Sequence, residues 1–237
     1  MHPAKSVIAF TTLSGAGYGL LIATILGHFI GFYESSTQVV IINLVIAFIL
    51  ISVGLLMSTL HLGHPERAWR ALSQWRSSWL SKEGVCSLLT FIPWSVYMLA
   101  SYYVDAAEIV VFWSGLLTVF FALMTVYTTS MIYRSLKPIQ SWYNTYVSPL
   151  YLLFSLASGL TVLNLILFLN QSPSAKINNM ALIALIVTVL LKNRYWRFVD
   201  NLEPGSTIES ATGLGEFGKV SSLEHPHPHQ NYLMKEM

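Results

Sequence analysis

The stretch Ser58-Thr-Leu-His-Leu-Gly-His-Pro-Glu-Arg-Ala68 carries His61, His64, Glu66 and Arg67 at the end of a long apolar run. Elsewhere the apolar runs are almost free of ionisable groups, and ionisable clusters beside hydrocarbon are costly enough to need an explanation. A quinone fits that chemistry. Each quinone carbonyl oxygen needs a neutral hydrogen-bonding partner, the ring needs an apolar slot, and the reaction needs a path for protons. His61 meets the first need, because imidazole titrates near neutral pH and both donates and accepts, and His64 stands beside it. Glu83 can pass protons, and Arg67 can either stabilise a developing quinol anion or simply pair with Glu66. Taken singly, His61 has the plainer reading of a helix-end cap, and Glu83 that of a first-turn acid favoured by the helix dipole.

These residues must be positioned by membrane helices. Hydrophobic residues make up 54% of the chain and charged residues 10%, far below the roughly 25% charged of soluble domains. Apolar runs at roughly 7 to 32, 39 to 60, 84 to 104, 109 to 133, 147 to 169 and 177 to 192 mostly reach the ~20 residues needed to cross hydrocarbon. The expectation is an all-α, polytopic transmembrane helix bundle of about six spans. It occupies residues 1–199, and 200–237 form a polar C-terminal extension or a loop cut short. The sixth run is the shortest. Lys176 and Lys192 bracket it and can snorkel, and Tyr195-Trp196 can anchor its end. The first run is too long for a signal-peptide core, lacks a small-residue cleavage site and precedes further spans, so it reads as helix one.

Basic residues fix an expected orientation. With the N-terminus in the cytoplasm, that side holds Lys5, Arg67, Arg70, Arg76, Lys82, Arg134, Lys137, Lys192, Arg194 and Arg197, against Lys176 alone opposite. This is a strong positive-inside bias. It places the His61 cluster on the cytoplasmic side, and Glu34, Asp105 and Glu108 in the opposite loops. One cysteine, Cys86, excludes an internal disulfide and cannot hold an iron-sulfur cluster, which takes about four thiolates.

Gly15 and Gly19, four apart in helix one, predict close approach by another helix. Asn43 and Asn164 read as interhelical hydrogen-bonding residues, Thr11, Thr12 and Ser14 as packing residues, and the phenylalanines and tyrosines as lipid-facing or interfacial. Between Pro65 and Lys82, Trp69, Leu72, Trp75 and Trp79 recur at intervals of three, three and four with arginines between them. That is the pattern of a short amphipathic helix or anchor at the interface. A b-type haem would need axial histidines at similar depth. His28 and His61 fall at opposite ends of their spans, roughly 25 to 30 Å apart in depth at 1.5 Å per residue, so the expectation is a haem-free protein.

At these residues the chain resembles the DmsC-like membrane anchors of the dimethyl sulfoxide reductase family. The matching segments are His2-Pro-Ala-Lys-Ser-Val-Ile, Phe10-Thr-Thr-Leu-Ser-Gly-Ala-Gly-Tyr-Gly19, Leu60-His-Leu-Gly-His-Pro-Glu-Arg-Ala68, Ser78-Trp-Leu-Ser-Lys-Glu83, and Trp142-Tyr with Pro149. The resemblance implies an anchor without a redox centre of its own. It would hold a molybdopterin catalytic subunit and an iron-sulfur subunit on the bacterial inner membrane and exchange electrons between menaquinone or ubiquinone and the nearest cluster. It places the quinol-site histidine at His61 and the loop glutamate at Glu83. Anchors of this family usually carry eight spans, so the chain reads as a shorter variant or a truncated product. With the cluster on the cytoplasmic side, it looks more like the sulfite-oxidising, quinone-reducing SoeC type than a periplasmic sulfoxide reductase.

In the tail, Ser206-Thr-Ile-Glu209 has capping-box spacing, and His225-Pro-His-Pro-His229 reads as solvated linker. The competing classes are a small transporter, for which mid-membrane acid-base pairs or an inverted repeat would be needed, and a structural anchor that binds no quinone.

Overall fold

The computed structural model describes residues 5–33, 36–59, 64–103, 107–202 and 207–221. His61, Glu34, Asp105, Ser206 and the His-Pro run at 225–229 lie outside the described residues. Among the described residues, six helices are long and apolar enough to cross a membrane: α1 (Lys5–Ile30), α2 (Thr37–Thr59), α3 (Trp79–Tyr102), α4 (Glu108–Arg134), α5 (Val147–Leu169) and α6 (Ala175–Asp200). Among the described residues there are no strands.

Two boundaries depart from the expected ones. α3 begins at Trp79 rather than near residue 84, which draws Lys82 into the helix and carries Glu83 past its first turn, and α6 runs on to Asp200. Snorkelling explains the second, since Lys192 lays its ammonium over the Tyr195 ring at 4.3 Å, and the polar end of α6 is held where Tyr195 donates to the Ser141 carbonyl at 3.0 Å. The short amphipathic helix expected between Pro65 and Lys82 is present only as far as Gln74. Pro65–Gln74 forms a 3-10 helix, and the chain then turns at Ser77 and Ser78, whose amides both donate to the Gln74 carbonyl. The three-residue spacing of Trp69, Leu72 and Trp75 matches three residues per 3-10 turn.

Helix α1 is the hub, packed against α2, α5 and α4, while α3 pairs with α4 and α6 with α5. Close approach by another helix occurs as expected, with Gly19 of the expected pair at the contact and Gly159 opposite it. A Cβ at Gly19 would lie 1.8 Å from the Ser155 carbonyl oxygen on α5, and one at Gly159 would lie 2.0 Å from the carbonyl carbon of Gly19, whereas a Cβ at Gly15 meets nothing within 4 Å. Gly15 contributes through its carbonyl, which accepts from Ser155 Oγ at 2.7 Å. The α1–α5 contact therefore runs backbone to backbone.

Several aromatic residues expected at the lipid face are buried, among them Tyr18, Tyr33 and Tyr97. Tyr33 folds back from the loop after α1 and donates to the Thr24 carbonyl at 2.9 Å, and burial followed by the nearby Tyr97 raises its pKa above the usual phenol range. Asn164 links α5 to α6 by donating to Asn178 Oδ1 at 3.1 Å. Asn43, fully buried on α2, makes no such bond among the described residues. Thr11 and Ser14 donate to carbonyls of their own helix, which satisfies hydroxyls inside an apolar span at little cost. Beyond the bundle, a five-residue helix at Ile208–Thr212 is capped by Thr207 and Ser210, one residue later than the expected Ser206–Glu209 box.

Candidate functional site

The antiparallel helices gather the start of α1, the end of α2, the start of α3 and the end of α4 at one end of the bundle. There they enclose a cavity of about 470 Å³ with the 3-10 helix as its cover, a volume within the ~300–1,000 Å³ range of small-molecule sites. Its walls are mostly apolar, with Phe10, Leu55, Leu72, Leu80 and Ile132 prominent. Three of the four expected site residues, His64, Arg67 and Glu83, line it. The fourth, His61, lies outside the described residues.

Glu83 occupies the inner end. It is 5% exposed, and Thr129 on α4 donates its hydroxyl to the carboxylate oxygen Oε1. It is the fifth residue of α3 rather than a first-turn acid, so the helix dipole does not explain it. A carboxyl buried among apolar side chains is costly unless it is neutral or hydrogen-bonded. This one has a hydroxyl donor on one side and the cavity on the other, which suits proton exchange.

His64 and Arg67 stand at the mouth and are largely exposed. His64 Nδ1 is 3.0 Å from Glu66 Oε1, and Arg67 Nε is 3.7 Å from the same oxygen. Arg67 thus makes the pairing with Glu66 that the sequence left open. Exposed pairs of this kind contribute little, so Glu66→Gln is expected to change unfolding stability by less than about 1 kcal/mol. A larger loss in a thermal melt would show that the mouth is held more firmly than its exposure implies.

The cover is seated by small residues. Ser81 Oγ donates to the Ala71 carbonyl, and a Cβ at Gly84 would come 2.8 Å from Leu72 Cδ2. Trp69 and Trp75 are exposed, each with an arginine over its ring, Arg70 at 5.5 Å and Arg76 at 5.4 Å.

Thr129 and Tyr133 were not singled out from sequence, though a signal was present. Thr118, Thr125 and Thr129 recur at seven and four residues along an otherwise apolar α4, which puts them on one face. All three are buried, with Thr118 and Thr125 donating to carbonyls four residues back and Thr125 Oγ1 lying 3.5 Å from Thr90 Oγ1 of α3.

Residues 1–203 match the family of DMSO reductase anchor subunits, DmsC. The chain belongs to that family. The anchor is similar to a sulfite dehydrogenase subunit of Allochromatium vinosum, with 31% identity over 246 residues that cover 94% of this chain and 74% of the relative. It is also similar to the anaerobic dimethyl sulfoxide reductase chain YnfH of Escherichia coli K12, with 26% identity over 195 residues, 78% of this chain and 67% of that one. No solved structure matches the anchor at a significant level. Family and helices together make it a multi-pass membrane protein.

Proposed function

We propose that the anchor binds quinone or quinol in the 470 Å³ cavity and exchanges electrons between the quinone pool and the iron-sulfur subunit of a molybdopterin oxidoreductase. The observation that carries this reading is a buried carboxyl, Glu83, facing an apolar cavity whose mouth holds His64 and Arg67. His61 joins the site as the ring-oxygen partner, and menaquinone or ubiquinone is the substrate. The bundle spans the bacterial inner membrane with its N-terminus in the cytoplasm, and 200–237 are a polar C-terminal extension or a loop cut short. The iron-sulfur and catalytic subunits then sit over the cavity end, where the basic residues gather. Similarity to a sulfite dehydrogenase subunit favours a sulfite-oxidising complex that reduces quinone.

A haem-free site is supported by the placement of the described histidines. His28 is near the far end of α1 and His64 lies at the cavity end, too far apart in depth to share one iron.

The test is fluorescence quenching of the quinol analogue 2-n-heptyl-4-hydroxyquinoline N-oxide by membranes containing the anchor. Wild type is expected to bind it, and His61→Ala to lose at least about tenfold in affinity, equivalent to ~1.4 kcal/mol. Gly84→Leu, which fills the cavity beside Leu72, is expected to weaken binding similarly. Absence of binding by correctly inserted wild type would leave a purely structural anchor.

A further inference from the structure

We propose that a hydroxyl-lined chamber between α1, α4 and α5 is a water-filled proton conduit, joining Glu83 to the membrane surface near Lys192 and Tyr195. This rests on the quinone reading and adds a second route to it: quinone enters by one cavity and its protons travel by another.

The chamber has a volume of about 270 Å³, room for several waters at ~30 Å³ each. Eight of its twelve lining residues carry a hydroxyl, Ser14, Tyr18, Thr129 and Tyr151 among them, and none is charged. Most of these hydroxyls that donate do so to helix carbonyls, for example Ser14 to Phe10 and Ser158 to Phe154. Their lone pairs remain to accept from water. Tyr18 is 2% exposed, and its hydroxyl lies close to those of Thr125 and Ser87, with no hydrogen bond of good geometry to either.

Continuity comes from shared side chains. Thr129 both lines the chamber and donates to Glu83, which lines the larger cavity. Thr11, Tyr151 and Phe154 line both the chamber and a further cavity of about 270 Å³, whose other walls include Trp142, Lys192 and Tyr195. Lys192 and Tyr195 belong to the last third of α6, at the same end as the start of α1. The conduit therefore begins and ends on one side of the bundle, and carries no charge across the membrane.

Reduction of a quinone adds two electrons, supplied by the iron-sulfur partner, and two protons, forming an O–H bond at each carbonyl oxygen. Glu83 gives up the proton of its carboxyl to one ring oxygen, and the second proton reaches the other oxygen from water at the cavity mouth through that oxygen's hydrogen-bonding partner. Water in the chamber then reprotonates Glu83 through the Thr129 hydroxyl, which passes one proton on as it receives another. Quinol oxidation runs the same transfers backwards.

The experiment uses the assembled complex in membrane vesicles and compares wild type with Thr129→Val, Thr129→Ser and Ser158→Leu. Three quantities are read: affinity for the same quinol analogue, quinone-coupled turnover, and the ratio of turnover in H2O to that in D2O. Thr129→Val and Ser158→Leu are expected to hold affinity within about twofold while turnover falls about tenfold and the isotope ratio rises. Thr129→Ser restores both. Wild-type turnover and an unchanged isotope ratio in Thr129→Val would overturn the conduit and leave the chamber as a pocket for lipid or quinone tail, with the quinone reading intact. Failure of Thr129→Ser to rescue would overturn it as well. Loss of analogue binding by wild type would instead remove the quinone reading itself.

Discussion

Glu83→Gln in the assembled complex is expected to lower quinone-coupled turnover by about 100-fold, the lower range of what a positioned acid-base group contributes. The substitution keeps the side chain's size and its capacity to accept from Thr129 Oγ1, so the walls of the cavity stay in place. It removes only the group that exchanges a proton. Affinity for the quinol analogue should therefore change far less than turnover, a separation that distinguishes loss of proton transfer from loss of binding. Steady-state kinetics with quinone, run beside the quenching titration, measures both. Turnover within about threefold of wild type would remove Glu83 from the reaction and return it to a structural role between α3 and α4.

Gly159→Val carries the largest expected effect on stability. The new Cβ would meet Gly19 and the Leu20 backbone nitrogen at 2.0 and 2.2 Å. These are backbone atoms of the central helix, which no rotamer change can move aside. Overpacking typically costs 1–3 kcal/mol, and an obstacle of this kind puts the expected loss at about 3 kcal/mol or more. Thermal unfolding in detergent should show it. Gly15→Ala on the same face of α1 serves as the control and is expected to melt with wild type, because its methyl group meets nothing within 4 Å. Equal stability of Gly159→Val and wild type would mean that α1 and α5 do not cross at these glycines.

Much of the bundle was legible because hydrocarbon imposes a simple rule on sequence. A span must be long, apolar and helical, so six runs of residues announced six helices, and the basic residues clustered by loop. The least legible boundary was the start of α3. Ser81 and Lys82 look like loop residues, and Glu83 like a first-turn acid, until the fold shows Ser81 bonded to Ala71, Lys82 over the Trp79 ring at 4.0 Å and Glu83 facing Thr129. Tyr18, Tyr33 and Tyr97 misled for a related reason, since an aromatic ring suits lipid, interface and core alike and only packing chooses among them.

By itself, the sequence determined that this is a membrane helix bundle of the DMSO reductase anchor family, and that His61, His64, Arg67 and Glu83 are its candidate chemical residues. Local composition suffices for the helix bundle, and the resemblance carried by short linear segments points to the family and to these residues. Tertiary structure decided that Glu83 is buried rather than a solvated helix-start acid, that Thr129, 46 residues away, is its hydrogen-bond partner, and that Gly19 meets Gly159 across α1 and α5. Each of these is a contact between helices far apart in the chain. Their relative rotation and depth depend on how whole faces pack together, which no single stretch of residues encodes.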